Sequence, residues 1–192
     1  MGTEVMNIKD YHQKTITNRI GIWLFIISDV FVFMGLLVSR FFLLGTEIRP
    51  EVNQVVGLVV TGILLFSSFF MNRAETAIEF GDQKTFLRNT LITIILGTLF
   101  LIGVVGVEWQ ITPFGPGENV IWSIFYVMTG FHALHVLSGL VILVVIYLNG
   151  RKGLYTEERN YPVEAAAVYW HFVDVVWIFF YPALYLIGLP TV

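Results

Sequence analysis

Asp29, Glu108, His132, His135, His171 and Asp174 are the side chains of this sequence best equipped to hold a proton, a metal or a haem iron, and all lie within or at the end of apolar stretches. An ionisable group in lipid costs from about 2.5 kcal/mol upward, so each is expected to face a bundle interior, with a partner or a function there. Asp29 is the deepest acid, set in Trp23-Leu-Phe-Ile-Ile-Ser-Asp-Val-Phe with Ser28 beside it. A carboxyl so placed is either protonated or hydrogen-bonded to a neighbouring helix, or it handles protons or a lipid headgroup. His171 and Asp174 are three apart and share a helix face, a spacing that lets imidazole and carboxylate neutralise one another. His132 and His135, in Thr129-Gly-Phe-His-Ala-Leu-His, share a face in the same way. Haem or metal ligation would need opposed or additional donors, which requires the spans carrying these histidines to adjoin. Hydrogen bonding between helices is the simpler use for all three, and no residue is assigned as catalytic or as a metal ligand. Glu108, followed by Trp109 and the turn-rich Pro113-Phe-Gly-Pro-Gly, reads as a structural polar residue where a span meets the interface.

The elements that position these groups follow from composition. Of 192 residues 56% are hydrophobic and 13% charged, against the roughly 25% charged of soluble domains, and the mean hydropathy is +0.77. After a polar leader, 1–19, apolar segments occur at about 20–44, 54–80, 88–110, 120–148 and 164–189. Each must be a helix, because lipid cannot satisfy exposed backbone groups. The sequence therefore predicts an all-α, polytopic membrane protein: a bundle of five transmembrane helices in one domain. Gly21, Ser28 and Gly35 recur every seven residues on the first span, a stripe expected to let another helix approach closely, with Asp29 at its edge. Pro182 removes a backbone bond and should kink the last span.

Charge sets the expected orientation. Nine of the eleven basic residues (Lys9, Lys14, Arg19, Arg73, Lys84, Arg88, Arg151, Lys152 and Arg159) fall on one side, and only Arg40 and Arg49 on the other. Basic loops mark the cytoplasmic side, which puts the N-terminus inside and the C-terminus outside. A net charge of −3 with no basic cluster argues against nucleic acid as a partner. The absence of cysteine excludes disulfides, iron–sulfur ligation and a thiol nucleophile. No nucleotide loop, hydrolase elbow or zincin signature occurs.

Two segments carry a specific resemblance. Thr129-Gly-Phe-His-Ala-Leu-His-Val is similar to the TGFHGLHV segment of subunit III of the haem-copper respiratory oxidases, the cytochrome c oxidase subunit 3 family. Glu164-Ala-Ala-Ala-Val-Tyr-Trp-His-Phe-Val-Asp-Val-Val-Trp-Ile-Phe-Phe-Tyr resembles that family's EAAAWYWHFVDVVWLFLY. Phe25-Ile-Ile-Ser-Asp-Val, Gly81-Asp and Glu108-Trp are weaker echoes, and the resemblance covers nearly the whole chain from about Arg19. It is to the short form with five spans, matching the last five of the seven in longer members. The family's carbodiimide-reactive glutamate falls on Asp29, one methylene shorter.

The resemblance implies a non-catalytic subunit of a proton-pumping complex that reduces dioxygen to water. Such a chain binds no haem or copper itself, those belonging to partner subunits; it packs directly against catalytic subunit I, accompanies subunit II and binds phospholipid. It also implies a multi-pass location in the cell inner membrane and support of proton uptake and turnover lifetime in subunit I. Quinol-oxidase subunits III and proteins associated with nitric oxide reductase share the pattern, since donor site and metals lie in other chains. An independent b-type cytochrome would use the membrane histidines as ligands. An autonomous transporter would call for inverted repeats or broken helices, which the sequence lacks.

Overall fold

The computed structural model describes residues 8–191, with side chains from 15 to 190. Lys9, Asp10, His12 and Lys14 of the leader therefore lie outside the described side chains. Helix α1 (Ile8–Leu44) begins inside the polar leader and is followed by a short strand β1 (Ile48–Pro50). An antiparallel pair comes next, α2 (Gln54–Glu79) and α3 (Gln83–Leu101), the latter continuing through a π-helical segment, Ile102–Glu108, into the single turn α4 (Trp109–Ile111). Then come α5 (Val120–Arg151) and α6 (Tyr161–Tyr181), a second π-helical segment at Pro182–Leu186, and strand β2 (Leu189–Thr191). Among the described residues five helical stretches are long and apolar enough to cross a membrane: Thr15–Leu44, Gln54–Glu79, Gln83–Ile111, Val120–Arg151 and Tyr161–Leu186.

Local chemistry sets the ends of these helices. Asn53 accepts from the amides of Val55 and Val56, Asp82 from Thr85, and Asn119 from Trp122, so side-chain oxygens satisfy amides that have no partner inside the helix. Gly81 takes φ +73° directly after α2, where a side chain would be strained. Pro182 has no amide to continue α6, and the backbone there widens into the π-helical segment.

Tryptophans fill the centre of the bundle. Trp122, Trp170 and Trp177 are buried together with Phe86, Phe100, Phe125 and Phe180. Trp170 of α6 lies against two glycines: a Cβ at Gly97 of α3 would stand 2.5 Å from its Cη2, and one at Gly139 of α5 2.9 Å from its Cε3. Its indole N–H donates to Ser67 of α2 at 3.1 Å, so one side chain joins four helices.

Helix α1 leans on α5 and α6 along a narrow seam. Ile26, Phe33 and Arg40, spaced by seven, are buried, and the Phe33 ring meets Phe131, Phe172 and Phe180 edge-on. Gly21, Ser28 and Gly35 repeat with the same period two residues further on, about 200° round the helix. All three are exposed, and a Cβ at Gly21 or Gly35 would meet nothing within 4 Å. The expected close helix contact on this stripe is therefore absent within the chain. The seam has the same seven-residue period, but the bulky positions carry it.

Arg40, counted from the sequence as a loop-side cation, is wholly buried near the end of α1. Its guanidinium donates to the carbonyls of Ala183, Gly45, Ile48 and Ile187 at 2.7–3.0 Å, tying α1 and the β1 loop to the C-terminal segment. Beside it β1 and β2 pair in parallel, Ile48 with Leu189 and Pro50 with Thr191.

Candidate functional site: polar groups inside the bundle

Asp29 has a partner that sequence reasoning did not name. Its Oδ2 lies 3.5 Å from Nε2 of His135 on α5, both side chains being mostly covered. Nδ1 of the same imidazole is 2.8 Å from the Phe131 carbonyl, which can only accept, so Nδ1 carries a hydrogen. A neutral Asp29–His135 pair then holds one further proton, either on Nε2 facing a carboxylate or on the carboxyl facing an imidazole. Ser138 and Tyr169 hold the α5 side of this pair: the serine hydroxyl donates to the His135 carbonyl at 2.8 Å and lies 2.6 Å from the Tyr169 hydroxyl, which can donate to it.

Two apolar grooves lie along α1. One, of about 510 Å³, includes Ile22, Phe25, Ser138 and Tyr169. The other, of about 290 Å³, includes Val30, Phe33, Met34 and Phe179.

His171 and Asp174 share a face, but the bond expected between them is not formed. The imidazole Nδ1 is 2.6 Å from the Ser68 hydroxyl on α2, while Oδ1 of the Asp174 carboxyl is buried without a hydrogen-bond partner. A serine on a neighbouring helix thus holds the imidazole in place of Asp174. His132 is fully buried between Phe100, Trp177 and Phe180, with ring centroids at 5.7, 4.9 and 6.3 Å, and neither nitrogen has a hydrogen-bond partner. Ser28 faces outward on α1, away from any interhelical contact.

Glu108 corrects the reading of an interfacial span end. It is wholly buried as the last residue of the first π-helical segment, and its Oε2 accepts from the Tyr185 hydroxyl at 2.5 Å. Tyr185 belongs to the second π-helical segment, so the two irregular turns meet through their polar side chains. Trp109 is half-buried and donates to Thr129 at 3.2 Å.

Sequence reasoning also missed Arg40, Ser67, Ser68 and Tyr185. Arg40 alone carried a signal, since it falls seven residues after Phe33 and fourteen after Ile26 on the period of the seam. Among the described residues no three or more His, Asp or Glu side chains gather into a metal-binding group. Each membrane imidazole has its own neighbour: aromatic rings for His132, Asp29 for His135 and Ser68 for His171.

Fold and polar interior define a largely helical, multi-pass membrane protein whose buried polar groups hold helices together. The model of the family described as cytochrome c oxidase subunit III matches residues 3–189, and the chain belongs to that family. It is 37% identical over 182 residues to cytochrome c oxidase subunit 3 of Thermostichus vulcanus, a match covering 92% of this chain and 90% of that one. The Bos taurus and Cyprinus carpio proteins of the same name are each 37% identical over 179 residues, covering 87% of this chain and 68% of theirs. The family is that of a subunit of an oxidoreductase complex, which implies partner subunits.

Proposed function

We propose that this chain is the non-catalytic subunit III of a proton-pumping haem-copper terminal oxidase that reduces dioxygen to water. The observation that carries the reading is the family match over 3–189, together with near end-to-end correspondence to a relative of similar length. In this reading the chain lies in the cell inner membrane with its N-terminus inside, an orientation supported by the nine-to-two division of its basic residues. It packs against catalytic subunit I, in company with subunit II. Haem and copper belong to those partners, a division consistent with imidazoles each engaged by a separate neighbour.

Phospholipid acyl chains would fill the two grooves along α1. Asp29 would hold its proton with His135 and keep α1 and the lipid in register, so that the proton entrance of subunit I keeps its geometry. Two measurements test this. Purification from native membranes in mild detergent should bring a large haem-containing subunit, seen by reduced-minus-oxidised spectrum and mass spectrometry. A chain that emerges alone and colourless, while other complexes survive, refutes the assignment. In the intact complex Asp29→Ala should leave assembly largely unchanged and shorten the active lifetime during turnover, and an unaltered lifetime removes Asp29 from the mechanism.

A further inference from the structure

We propose that Glu108 and Tyr185 form a proton-exchange site beside a partly polar pocket, at the end of the bundle that carries the β1–β2 ladder. Glu108 is wholly buried, one carboxyl oxygen accepts from Tyr185, and the other, also buried, has no partner. No basic side chain neutralises it. Among the described residues Arg19 pairs with Glu164 and His135 with Asp29, and the guanidinium of Arg40, the buried cation of this end, donates to four backbone carbonyls. A carboxylate with a single phenol donor in such surroundings lacks the hydrogen bonds that a buried charge requires. The neutral acid fits: the phenol donates to Oε2, and the proton sits on Oε1.

That proton has an exit. Glu108 lines a partly polar pocket of about 480 Å³ together with Glu51, Asn53 and Thr112, next to the short loops that end the bundle. Oε1 itself is covered, so a water of that pocket exchanges its proton only on local opening, leaving Tyr185 protonated throughout. Each surrounding element supplies a neutral or acidic face. The C-terminal segment contributes Tyr185 and, stacked on it at 5.0 Å, Tyr181. The loop before α2 contributes Glu51, and α5 contributes Phe125 and Tyr126, the latter bonded to Thr112 and the Phe114 carbonyl. Both members of the pair lie in π-helical segments, whose wider turns recur at functional positions. The site stands independently of the oxidase assignment.

The test uses the full chain with whatever partners co-purify. Its infrared spectrum should contain a protonated-carboxyl carbonyl band that moves down in heavy water, is missing in Glu108→Gln, and moves up in Tyr185→Phe, where the phenol donor is lost. Tyr185→Phe retains the acid, so the readout survives even if Glu108→Gln does not accumulate. The natural absence of cysteine makes access measurable. Glu108→Cys should react with a small impermeant cationic methanethiosulfonate from the face that labels Glu118→Cys, and not from the face that labels Lys152→Cys. An infrared spectrum unchanged by either substitution at the pair overturns the proposal. So does labelling from the Lys152 face, or none from either.

Discussion

Replacing Arg40 by methionine removes a guanidinium that donates to four carbonyls, those of Ala183, Gly45, Ile48 and Ile187, and leaves a side chain of similar length. Hydrogen bonds from a charged donor contribute about 1.5–3 kcal/mol each. Their sum overstates the loss, because methionine also avoids the several kcal/mol needed to desolvate a cation. Breaking a buried charged contact typically costs about 3–5 kcal/mol. The carbonyls lie at the end of the bundle, where water can reach them once the cation is gone, so the lower figure applies. At 1.4 kcal/mol per tenfold, a loss of about 3 kcal/mol is roughly a hundredfold faster local opening. Hydrogen exchange followed by mass spectrometry reads it directly at the amides of Ile187, bonded to Pro182, and Leu189, bonded to Glu47. Arg40→Lys should fall between parent and methionine, since an ammonium has three donors and no planar fork. Exchange in 45–50 and 186–191 that stays at the parental rate in Arg40→Met, or rises equally throughout the bundle, would refute a local clamp.

The two kinds of glycine should respond oppositely to enlargement. Gly97→Leu and Gly139→Leu drive atoms into the Trp170 indole and should each cost about 1–3 kcal/mol or more. Gly21→Leu and Gly35→Leu point into open space and should leave the chain's own stability within about 0.5 kcal/mol; size-exclusion of detergent-solubilised protein after graded heating separates the pairs, and equal losses would contradict the packing. Asp82, which caps α3 outside the membrane, has its carboxyl held below the usual range by hydrogen bonds from the Thr85 side chain and amide. Its folded value lies below its unfolded one, so the cap stabilises fully above the unfolded value and fades as pH falls through the folded one. Amide exchange at the start of α3 should accelerate in acid in the parent and be high at every pH in Asp82→Ala; a parental profile flat with pH would show that the cap is not felt.

The five spans were legible because lipid leaves the backbone few solutions: an apolar run of the right length must be a helix, whatever its neighbours. The C-terminal end was less so. Pro182 announced an interruption, but whether a helix kinks, ends or widens depends on what donates to the carbonyls left open beyond it, and here Arg40, from the opposite end of the sequence, donates to that of Ala183. The β1–β2 ladder was invisible for the same reason. Three residues of strand carry no periodicity, and the pair forms only because α1 and α6 end side by side.

Polar residues in the spans show the same division between what one helix decides and what its neighbours decide. That Asp29, His135, His171 and Asp174 must be paired followed from the cost of charge in lipid; with whom did not. The spacing of His171 and Asp174 made a bond within α6 look natural, yet the imidazole turns to Ser68 of α2 instead. A serine costs little to place in a helix, so its position gave no signal. On α1 two sets of residues repeat every seven, Ile26-Phe33-Arg40 and Gly21-Ser28-Gly35, and periodicity cannot say which faces home. In lipid, where apolar side chains gain little by leaving one apolar medium for another, close packing decides. Around Phe33 that packing is aromatic and edge-on, against three rings of α5 and α6, which turns the small-residue ridge outward and brings Asp29, three residues after Ile26, to the flank where His135 meets it.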